Sequence, residues 1–389
     1  MCTKYISKKV ILGFNICIMT LLFTYYSTVN IALTEGKKLQ NQGKREIKYI
    51  LQWTNKSLAP FNFMKEGNVA FVKNKCRFTN CFVTNDSRYL VNELDFDAIA
   101  FNGRDMHLKL SQMPQHRNPR QKYIFGAMES ADNFPVCDER FEDFFNWTWT
   151  YKLDSDFRWG YITVYDLNGT VVGPAVNMKW KSEMKPINED LKVKLSNKTK
   201  AAVWFVSHCR TKSRREHFVE EVQRELEPYN WTVDVYGRCG TFKCPKSNRK
   251  FCNDLIKNNY YFYFSLENSF AEDYVTEKLL NGLENYAVPI VYGAANYSRF
   301  LPPGSYLNGM ELGAKELARQ MNLIIENRTL YHDFFRWRNY YVYKETSSKE
   351  DICKLCEMLN DEEKVAQTSV WHDFRKWWNG ARYEQNCHK

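Results

Sequence analysis

Residues 260–293 read YYFYFSLENSFAEDYVTEKLLNGLENYAVPIVYG, and this stretch decides the fold. The aromatic run at 260–264 is typical of a buried strand, and Val288–Tyr292 predicts a second one. Between them lie a polar loop and a segment, from about 276 to 286, with a helical pattern. Strand, helix and strand in this order form a βαβ unit. Parallel sheets built from such units bind nucleotides at the carboxyl ends of their strands.

Lys278 lies in the first turn of the predicted helix, where a positive charge opposes the positive end of the helix dipole. A bound anion such as a phosphate at that helix end would explain the lysine. A solvated lysine on a surface helix is the alternative, and position alone favours neither.

This stretch resembles the nucleotide-binding motif of the α1,3/4-fucosyltransferases, glycosyltransferase family 10, which reads roughly FYLxFENSxxxDYxTEKxxxNxLxxxxVPxVxG. The sequence RFLPP at 299–303 continues the match, and the resemblance covers most of residues 49–356. It implies an α/β protein of two Rossmann-like domains facing across a cleft, the B-type glycosyltransferase fold. The sugar donor, GDP-fucose, would lie on the C-terminal half. The residues implied to contact it here are Glu267, Asn268, Tyr274, Glu277 and Lys278.

Hydropathy and charge divide the chain further. Residues 10–34 carry no charged side chain, and about 20 apolar residues suffice to span a bilayer as a helix. We therefore predict a cytoplasmic tail at 1–9, a transmembrane signal anchor at 10–33 and a stem at 34–48, with a cleaved signal peptide as the alternative. An acceptor-binding domain at 49–190 and a GDP-fucose-binding domain at 191–389, with a disulfide-fastened C-terminal tail, would follow. The first of these domains should contain strands at 49–53, 69–72, 81–84 and 96–101. The formal net charge of +10 includes +6 from residues 1–48, which argues against nucleic acid as a partner.

Sequons and cysteines indicate an oxidising, glycosylating compartment, so we expect a single-pass type II protein of the Golgi membrane with a lumenal catalytic domain. Ten cysteines follow the predicted anchor, and Cys353 and Cys356 form a C-x-x-C that is more typical of structural disulfides than of a redox or zinc site. The resemblance implies that this motif fastens the two ends of the catalytic domain, with Cys76 or Cys81 as partners. The sequons are at Asn55, Asn85, Asn146, Asn168, Asn197, Asn230, Asn296 and Asn327.

A second informative segment, residues 117–130, reads RNPRQKYIFGAMES and predicts a buried strand with Glu129 at its carboxyl end. A lone glutamate in that position is more often structural than catalytic. The segment resembles the family's R-x-P-x-Q-R-W…ESP, which implies that Glu129 is the general base. Ala131 stands where the family has proline.

A basic loop after the predicted strand at 201–207 suits a diphosphate, although a solvated turn is the more usual fate of such a loop. Ser213, with Glu216 three residues later, predicts a capped helix that extends to about 226. The resemblance implies one phosphate-binding arginine here. Helix register favours Arg215, with Arg214 as the alternative.

The acceptor side is indicated by the segment FDAIAF at 96–101, which ends at Asn102, Gly103, Arg104 and Asp105. Relatives often have two histidines before the matching arginine and acid, so Arg104 and Asp105 become acceptor-side candidates. The Asn102-Gly103 departure weakens the case for N-acetyllactosamine and slightly favours core GlcNAc. A tight turn is the plainer interpretation of Asn-Gly.

The resemblance therefore predicts an inverting α1,3-fucosyltransferase that acts on GlcNAc of glycoprotein N-glycans, with Glu129 as base and with Lys278 and Arg215 stabilising the departing GDP. Lactosamine antennae are the alternative acceptor, and an inactive lumenal glycan-binding relative is the alternative protein. A nicotinamide-dependent oxidoreductase is disfavoured because the sequence lacks G-x-G-x-x-G. We expect no obligatory metal, which leaves room for stimulation by added Mn²⁺ or Mg²⁺. Asp154 and Asp156 resemble a D-x-D metal motif, but we interpret them as structural or acceptor-side groups.

Overall fold

The protein is described by a computed structural model over residues 46–388. The predicted tail and anchor, and nearly all of the predicted stem, lie outside the described residues. No helix within 46–388 is both long and apolar enough to cross a bilayer.

The first domain is built on a parallel six-stranded sheet in the order β2-β1-β3-β4-β5-β6. The predicted strands at 49–53, 81–84, 96–101 and 123–127 are confirmed to within two residues. Its strands are β1 (Lys48–Gln52), β2 (Cys81–Thr84), β3 (Ala98–Asn102), β4 (Lys122–Ala127), β5 (Trp147–Thr150) and β6 (Phe157–Arg158).

A strand expected at 69–72 is instead a short helix, α1 (Val69–Lys73). Val69 and Val72 are 56% and 52% exposed, whereas the adjacent Ala70 and Phe71 are buried. Two neighbouring buried residues between exposed ones fit one helical turn and do not fit the alternation of a strand.

A small antiparallel sheet, in the order β14-β7-β8, combines residues that lie far apart in sequence. The strands that form it are β7 (Ile162–Asp166), β8 (Val171–Gly173) and β14 (Tyr341–Glu345).

The second domain carries a parallel five-stranded sheet in the order β10-β9-β11-β12-β13. Its strands are β9 (Lys200–Phe205), β10 (Val233–Tyr236), β11 (Tyr260–Leu266), β12 (Val288–Tyr292) and β13 (Leu307–Asn308). The predicted βαβ unit is confirmed, because β11 pairs in parallel with β12 from Phe262 opposite Val288 onward.

Helices cover these sheets and follow the chain in the order α2 (Glu189–Leu195), α3 (Arg215–Leu226), α4 (Arg249–Asn259), α5 (Lys278–Glu284), α6 (Gly309–Glu326) and α7 (Arg328–Asp333), then α8 (Ser348–Leu359), α9 (Glu362–Ala366), α10 (Phe374–Asn379) and α11 (Tyr383–Cys387). Helix α6 is kinked at Gly313, whose φ of 68° is a left-handed conformation that glycine adopts without strain.

The C-terminal segment of the chain returns to the first sheet, where the resemblance implied that disulfides fasten it. Ile352 and Leu355 of α8 are buried on one face of the first sheet, and Phe374 and Trp378 of α10 are buried on the other. Disulfides Cys76–Cys353, Cys81–Cys356 and Cys137–Cys387 fasten this segment. Both cysteines proposed as partners of the C-x-x-C motif thus bond to it. These residues pack with the first domain because their apolar side chains are buried there, although they follow the second domain in sequence.

Candidate active site

A cavity of about 720 Å³ lies between the loops at the carboxyl ends of the two parallel sheets. It brings together residues that the sequence places far apart, including Glu129 after β4, Arg215 on α3 and Lys278 on α5. The predicted residues that line it are Glu129, Arg215, Asn268, Tyr274, Glu277 and Lys278. Glu267, Arg104 and Asp105 are not among the lining residues.

Lys278 is the first residue of α5, and its ammonium is held in place by two side chains. Its Nζ donates to Thr276 Oγ1 at 2.6 Å and to Glu267 Oε2 at 3.0 Å. The lysine side chain keeps 23% of its surface exposed, whereas that of Glu267 keeps only 2%. A fixed, partly exposed cation at a helix start suits a phosphate group.

Glu267 positions the lysine but does not line the cavity. Its carboxylate accepts from the Thr276 backbone N–H at 2.8 Å and from Thr276 Oγ1 at 2.9 Å, besides the bond from Lys278. A buried carboxylate is stable only when donors of this kind satisfy it. We had expected Glu267 to contact the sugar donor directly. Its carboxylate instead accepts from Thr276 and Lys278, so its role is to hold Lys278 in place.

Arg215 supplies a second cation. It is the first residue of α3, is 4% exposed, and its guanidinium lies 5.6 Å from the Trp204 ring centroid. One guanidinium nitrogen donates to the Leu266 carbonyl, and Nε has no hydrogen-bond partner among the described residues. Burial lowers the pKa of Arg215 from its ordinary value, and the nearby Glu267 carboxylate opposes that shift.

Arg214, the alternative phosphate-binding residue, is exposed and lies outside the cavity. It is the N-cap residue of α3, with a φ of 52°. The predicted capping box is wrong, because Ser213 Oγ donates to the Glu267 carbonyl at 2.7 Å and Glu216 accepts from the Thr211 N–H at 3.1 Å. Ser213 instead contacts the end of the neighbouring strand β11, and the helix begins at Arg215, one residue later than a Ser213 cap predicts.

Glu129 follows β4 and is partly exposed at the cavity wall. Tyr274 donates its hydroxyl to Glu129 Oε2 at 3.4 Å. Burial, followed by the proximity of Tyr161, raises the pKa of Tyr274 well above its ordinary value. The phenol therefore stays protonated and remains a hydrogen-bond donor at neutral pH.

Several lining residues were missed by the sequence analysis. Tyr161 lies beside Tyr274, with ring centroids 6.2 Å apart, and donates its hydroxyl to the Met128 carbonyl at 2.6 Å. Arg249 and Asn253 of α4 line the end of the cavity nearest the Cys244–Cys252 disulfide. The usable signal for Arg249 and Asn253 was the pair of cysteines, Cys244 and Cys252, on either side of the start of α4. Tyr161 lies on a connection with no local motif.

The acceptor-side candidates lie elsewhere on the first domain. Arg104 is exposed, with its guanidinium 4.8 Å from the Phe134 ring centroid, and Asp105 accepts from the Asn55 N–H at 3.0 Å. Asn102 is fully buried and accepts from the Arg104 N–H at 3.0 Å. The Asn102-Gly103 pair thus forms a turn, and a side chain at Gly103 would place its Cβ 2.7 Å from Phe125 Cζ.

Asp154 and Asp156 anchor the C-terminal segment, as the structural interpretation expected. Asp154 Oδ2 accepts from Trp377 Nε1 at 2.9 Å, and Asp156 Oδ2 accepts from Trp371 Nε1 at 3.0 Å. Asp156 Oδ2 also accepts from the Thr148 N–H at 2.8 Å, so both carboxylates make structural contacts. Within the described part of the chain, no group of three or more His, Cys, Asp or Glu side chains could hold a metal ion.

Seven predicted glycosylation sites are exposed, namely Asn55, Asn85, Asn168, Asn197, Asn230, Asn296 and Asn327. Asn146 is the exception, because it is only 7% exposed. Its Nδ2 donates to the Ser369 carbonyl at 3.0 Å, and its Oδ1 accepts from the Tyr123 N–H at 2.9 Å and from Arg117. Because the Asn146 amide is buried and hydrogen-bonded, we expect no glycan at this site in the folded protein.

Comparison with known sequences identifies the family. The model "Fucosyltransferase, N-terminal" matches residues 45–162, and "Glycosyltransferase family 10 (fucosyltransferase) C-term" matches residues 195–377. The chain is 37% identical to alpha-(1,3)-fucosyltransferase C of Drosophila melanogaster, over 79% of this chain and 72% of that protein. The chain belongs to the glycosyltransferase family 10 fucosyltransferases.

This family 10 fucosyltransferase also matches a second Drosophila protein and a solved structure. Glycoprotein 3-alpha-L-fucosyltransferase A of Drosophila melanogaster is 29% identical over 88% of this chain and 62% of its own length. A crystal structure of an alpha1,3-fucosyltransferase with GDP aligns over 85% of this chain and 94% of its own, with a TM-score of 0.48 and 16% identity. The family assignment makes the chain a glycosyltransferase and supports GDP-fucose as its sugar donor.

Proposed function

We propose that this fucosyltransferase moves L-fucose from GDP-β-L-fucose to O3 of a GlcNAc residue in glycoprotein N-glycans, with inversion at the anomeric carbon. The observation that carries the proposal is that Glu129 and the cations Lys278 and Arg215 line one cavity. A carboxylate on one domain and two cations on the other suit a displacement in which a hydroxyl loses a proton and a diphosphate leaves.

The sugar donor would bind mainly to the second domain. Lys278 and Arg215 would bind the diphosphate, because one begins α5, the other begins α3, and both line the cavity. Glu277 is exposed at the start of α5, where its carboxylate can accept from ribose hydroxyls. Asn268 and Tyr274 would complete the contacts. The Tyr274 hydroxyl is close enough to Glu129 to keep the carboxylate facing the cavity.

The proposed reaction is one direct displacement. Glu129 takes the proton of the acceptor hydroxyl as that oxygen forms its bond to the anomeric carbon. The bond from that carbon to the β-phosphate oxygen breaks, and its electron pair leaves with GDP. Lys278 and Arg215 stabilise the negative charge that develops on the diphosphate, which is usually the largest electrostatic contribution to such a reaction.

The acceptor that we propose is the core GlcNAc of an N-glycan. Core GlcNAc is favoured because a turn stands at Asn102-Gly103, where relatives have two histidines. One Drosophila relative is named a glycoprotein 3-alpha-L-fucosyltransferase. Lactosamine antennae are the alternative, and a lumenal glycan-binding protein without transfer activity is a further one.

For the cellular setting we propose a type II protein of the Golgi membrane with a lumenal catalytic domain. Support comes from five disulfides and seven exposed sequons among residues 46–388, both of which suit an oxidising and glycosylating lumen. The uncharged run at 10–34 suits the anchor.

The proposal is tested with residues 49–389 secreted from a eukaryotic host. The protein is incubated with GDP-fucose and N-glycans that carry either a bare chitobiose core or lactosamine antennae, and mass spectrometry locates any added deoxyhexose. Fucose on the core GlcNAc supports the proposal in full. Fucose on the antennae keeps the reaction and changes the acceptor. Absence of transfer with GDP still bound favours a glycan-binding relative.

A further inference from the structure

Two loops from different domains meet beside the cavity. The base loop, residues 129–133, follows β4 and begins with Glu129. The nucleotide loop, residues 267–275, follows β11 and contains Asn268 and Tyr274. Their relative position fixes the distance between the proposed base and the bound sugar donor, so the contacts that join them bear directly on the reaction.

A pair of buried serines forms the first contact. Ser130 Oγ and Ser269 Oγ lie 2.6 Å apart, and the two residues are 0% and 1% exposed. Each serine is next in sequence to a residue that lines the cavity, because Ser130 follows Glu129 and Ser269 follows Asn268. A hydrogen bond isolated from water in this way holds its geometry more firmly than an exposed one.

The neighbouring bonds fix the direction of this contact. Ser130 Oγ accepts from the Asn133 N–H at 3.1 Å, and Ser269 Oγ donates to Asn268 Oδ1 at 3.0 Å. Since the Ser269 proton is directed to Asn268, Ser130 must donate to Ser269. The chain of bonds therefore begins in the base loop and ends on the Asn268 amide. The bond from Ser269 thereby holds the Asn268 amide in place at the cavity wall.

Asp132 provides a second, independent contact between the loops. Its Oδ2 accepts from the Phe270 N–H at 3.0 Å, although Asp132 is only 3% exposed. Arg382 compensates the buried charge, with its Nε 3.2 Å from Asp132 Oδ1 and its guanidinium 5.6 Å from the Phe270 ring centroid. The C-terminal segment thus braces both loops at once.

We propose that Ser130 and Ser269 are positioning residues, which hold Glu129 and Asn268 in a fixed relation across the cleft so that the acceptor hydroxyl and the anomeric carbon meet in line. The proposal rests on the proposed role of Glu129 as base. It assigns the serines no contact with the reacting atoms. Small errors in such alignment are costly, since a displacement of about 1 Å can reduce a rate by about 100-fold.

The test measures transfer kinetics and GDP affinity for Ser130→Ala, Ser269→Ala and the double variant of the secreted catalytic domain. Each single variant is expected to lower kcat by about 10-fold while the KM for GDP-fucose and the Kd for GDP change less than about threefold. The double variant should lose clearly less than the product of the two single losses, because both substitutions delete the Ser130–Ser269 bond and each removes only one further bond of its own. Ser269→Thr keeps the hydroxyl and should recover most of the rate.

Ser305→Ala is the matched control, because Ser305 is also buried and donates one bond, to the Pro302 carbonyl at 2.7 Å. It should lower stability slightly and leave kcat unchanged. Additive losses in the double variant, or an unchanged kcat in the single variants, would overturn the positioning proposal. Glu129→Gln measured in parallel keeps the two proposals distinguishable. If Glu129→Gln abolishes transfer while the serine variants keep the wild-type kcat, the base assignment stands and the positioning proposal alone fails. If Glu129→Gln retains transfer, the base assignment fails, and the positioning proposal that rests on it fails as well.

Discussion

Replacement of Lys278 by methionine separates its two roles, because this lysine both faces the cavity and compensates a buried charge. Its Nζ is 3.0 Å from Glu267 Oε2, and the Glu267 side chain is 2% exposed. Lys278→Met leaves that carboxylate with only Thr276 donors, at 2.8 Å from the N–H and 2.9 Å from the hydroxyl. We expect a loss of about 1–3 kcal/mol in the free energy of unfolding.

Catalysis should suffer more than stability. Removing one group that stabilises developing charge typically costs about 100-fold or more in kcat. The double variant Lys278→Met/Glu267→Gln neutralises the orphaned carboxylate, so we expect most of the lost stability to return. Transfer should stay at the level of the single variant, because the positive charge at the diphosphate is still missing.

Urea unfolding followed by fluorescence gives the stabilities, and mass spectrometry of fucosylated acceptor gives the rates. Calorimetric titration with GDP shows whether the site survives in each variant. Recovery of both stability and transfer in the double variant would refute the reasoning, since Lys278 would then serve only as the counter-ion of Glu267.

Three further predictions concern parts of the molecule outside the cavity. Asn146→Gln should leave the glycan mass of the secreted protein unchanged while lowering its melting temperature, because the bond to the Ser369 carbonyl is lost. Gly103→Ala should lower the free energy of unfolding by about 1–3 kcal/mol, because its Cβ would lie 2.7 Å from Phe125 Cζ, and urea unfolding measures this. Burial lowers the pKa of Lys198 from 10.5 to about 7, so between these values the unfolded chain binds more protons and stability rises with pH. Lys198→Met should remove that rise when unfolding is measured from pH 7 to 10.5.

The sequence predicted the parallel architecture well because the information is local. Residues 260–292 contain two strands and a helix in one continuous pattern, and β11, α5 and β12 follow it closely. The helix at Val69–Lys73 was not predictable in this way, since β-branched residues favour strands and only tertiary burial of Phe71 decides the outcome. The C-terminal segment packs on the first sheet through contacts between residues more than 200 positions apart in sequence. Local hydrophobic periodicity does not predict contacts of this kind.

In the candidate site, too, the sequence predicted the residues of local motifs but not the contacts that depend on the folded structure. Residues within a strand-end motif, such as Glu129 and Lys278, were predicted and do line one cavity. Glu267 belongs to the same motif, yet its carboxylate turns away to hold Lys278. Arg104 and Asp105 lie on a turn outside that cavity. Motif membership thus predicted the loop but could not predict the direction of each side chain, which depends on the hydrogen bonds available to it.

The most direct test of the account replaces the proposed base. Glu129→Gln keeps the size of the side chain and its bond from Tyr274 but removes its capacity to take a proton. We expect the rate of fucose transfer to fall by about 100-fold to 10,000-fold, with the Kd for GDP unchanged within about threefold. Transfer at the wild-type rate, with GDP bound equally well, would contradict the account and place the base elsewhere in the cavity.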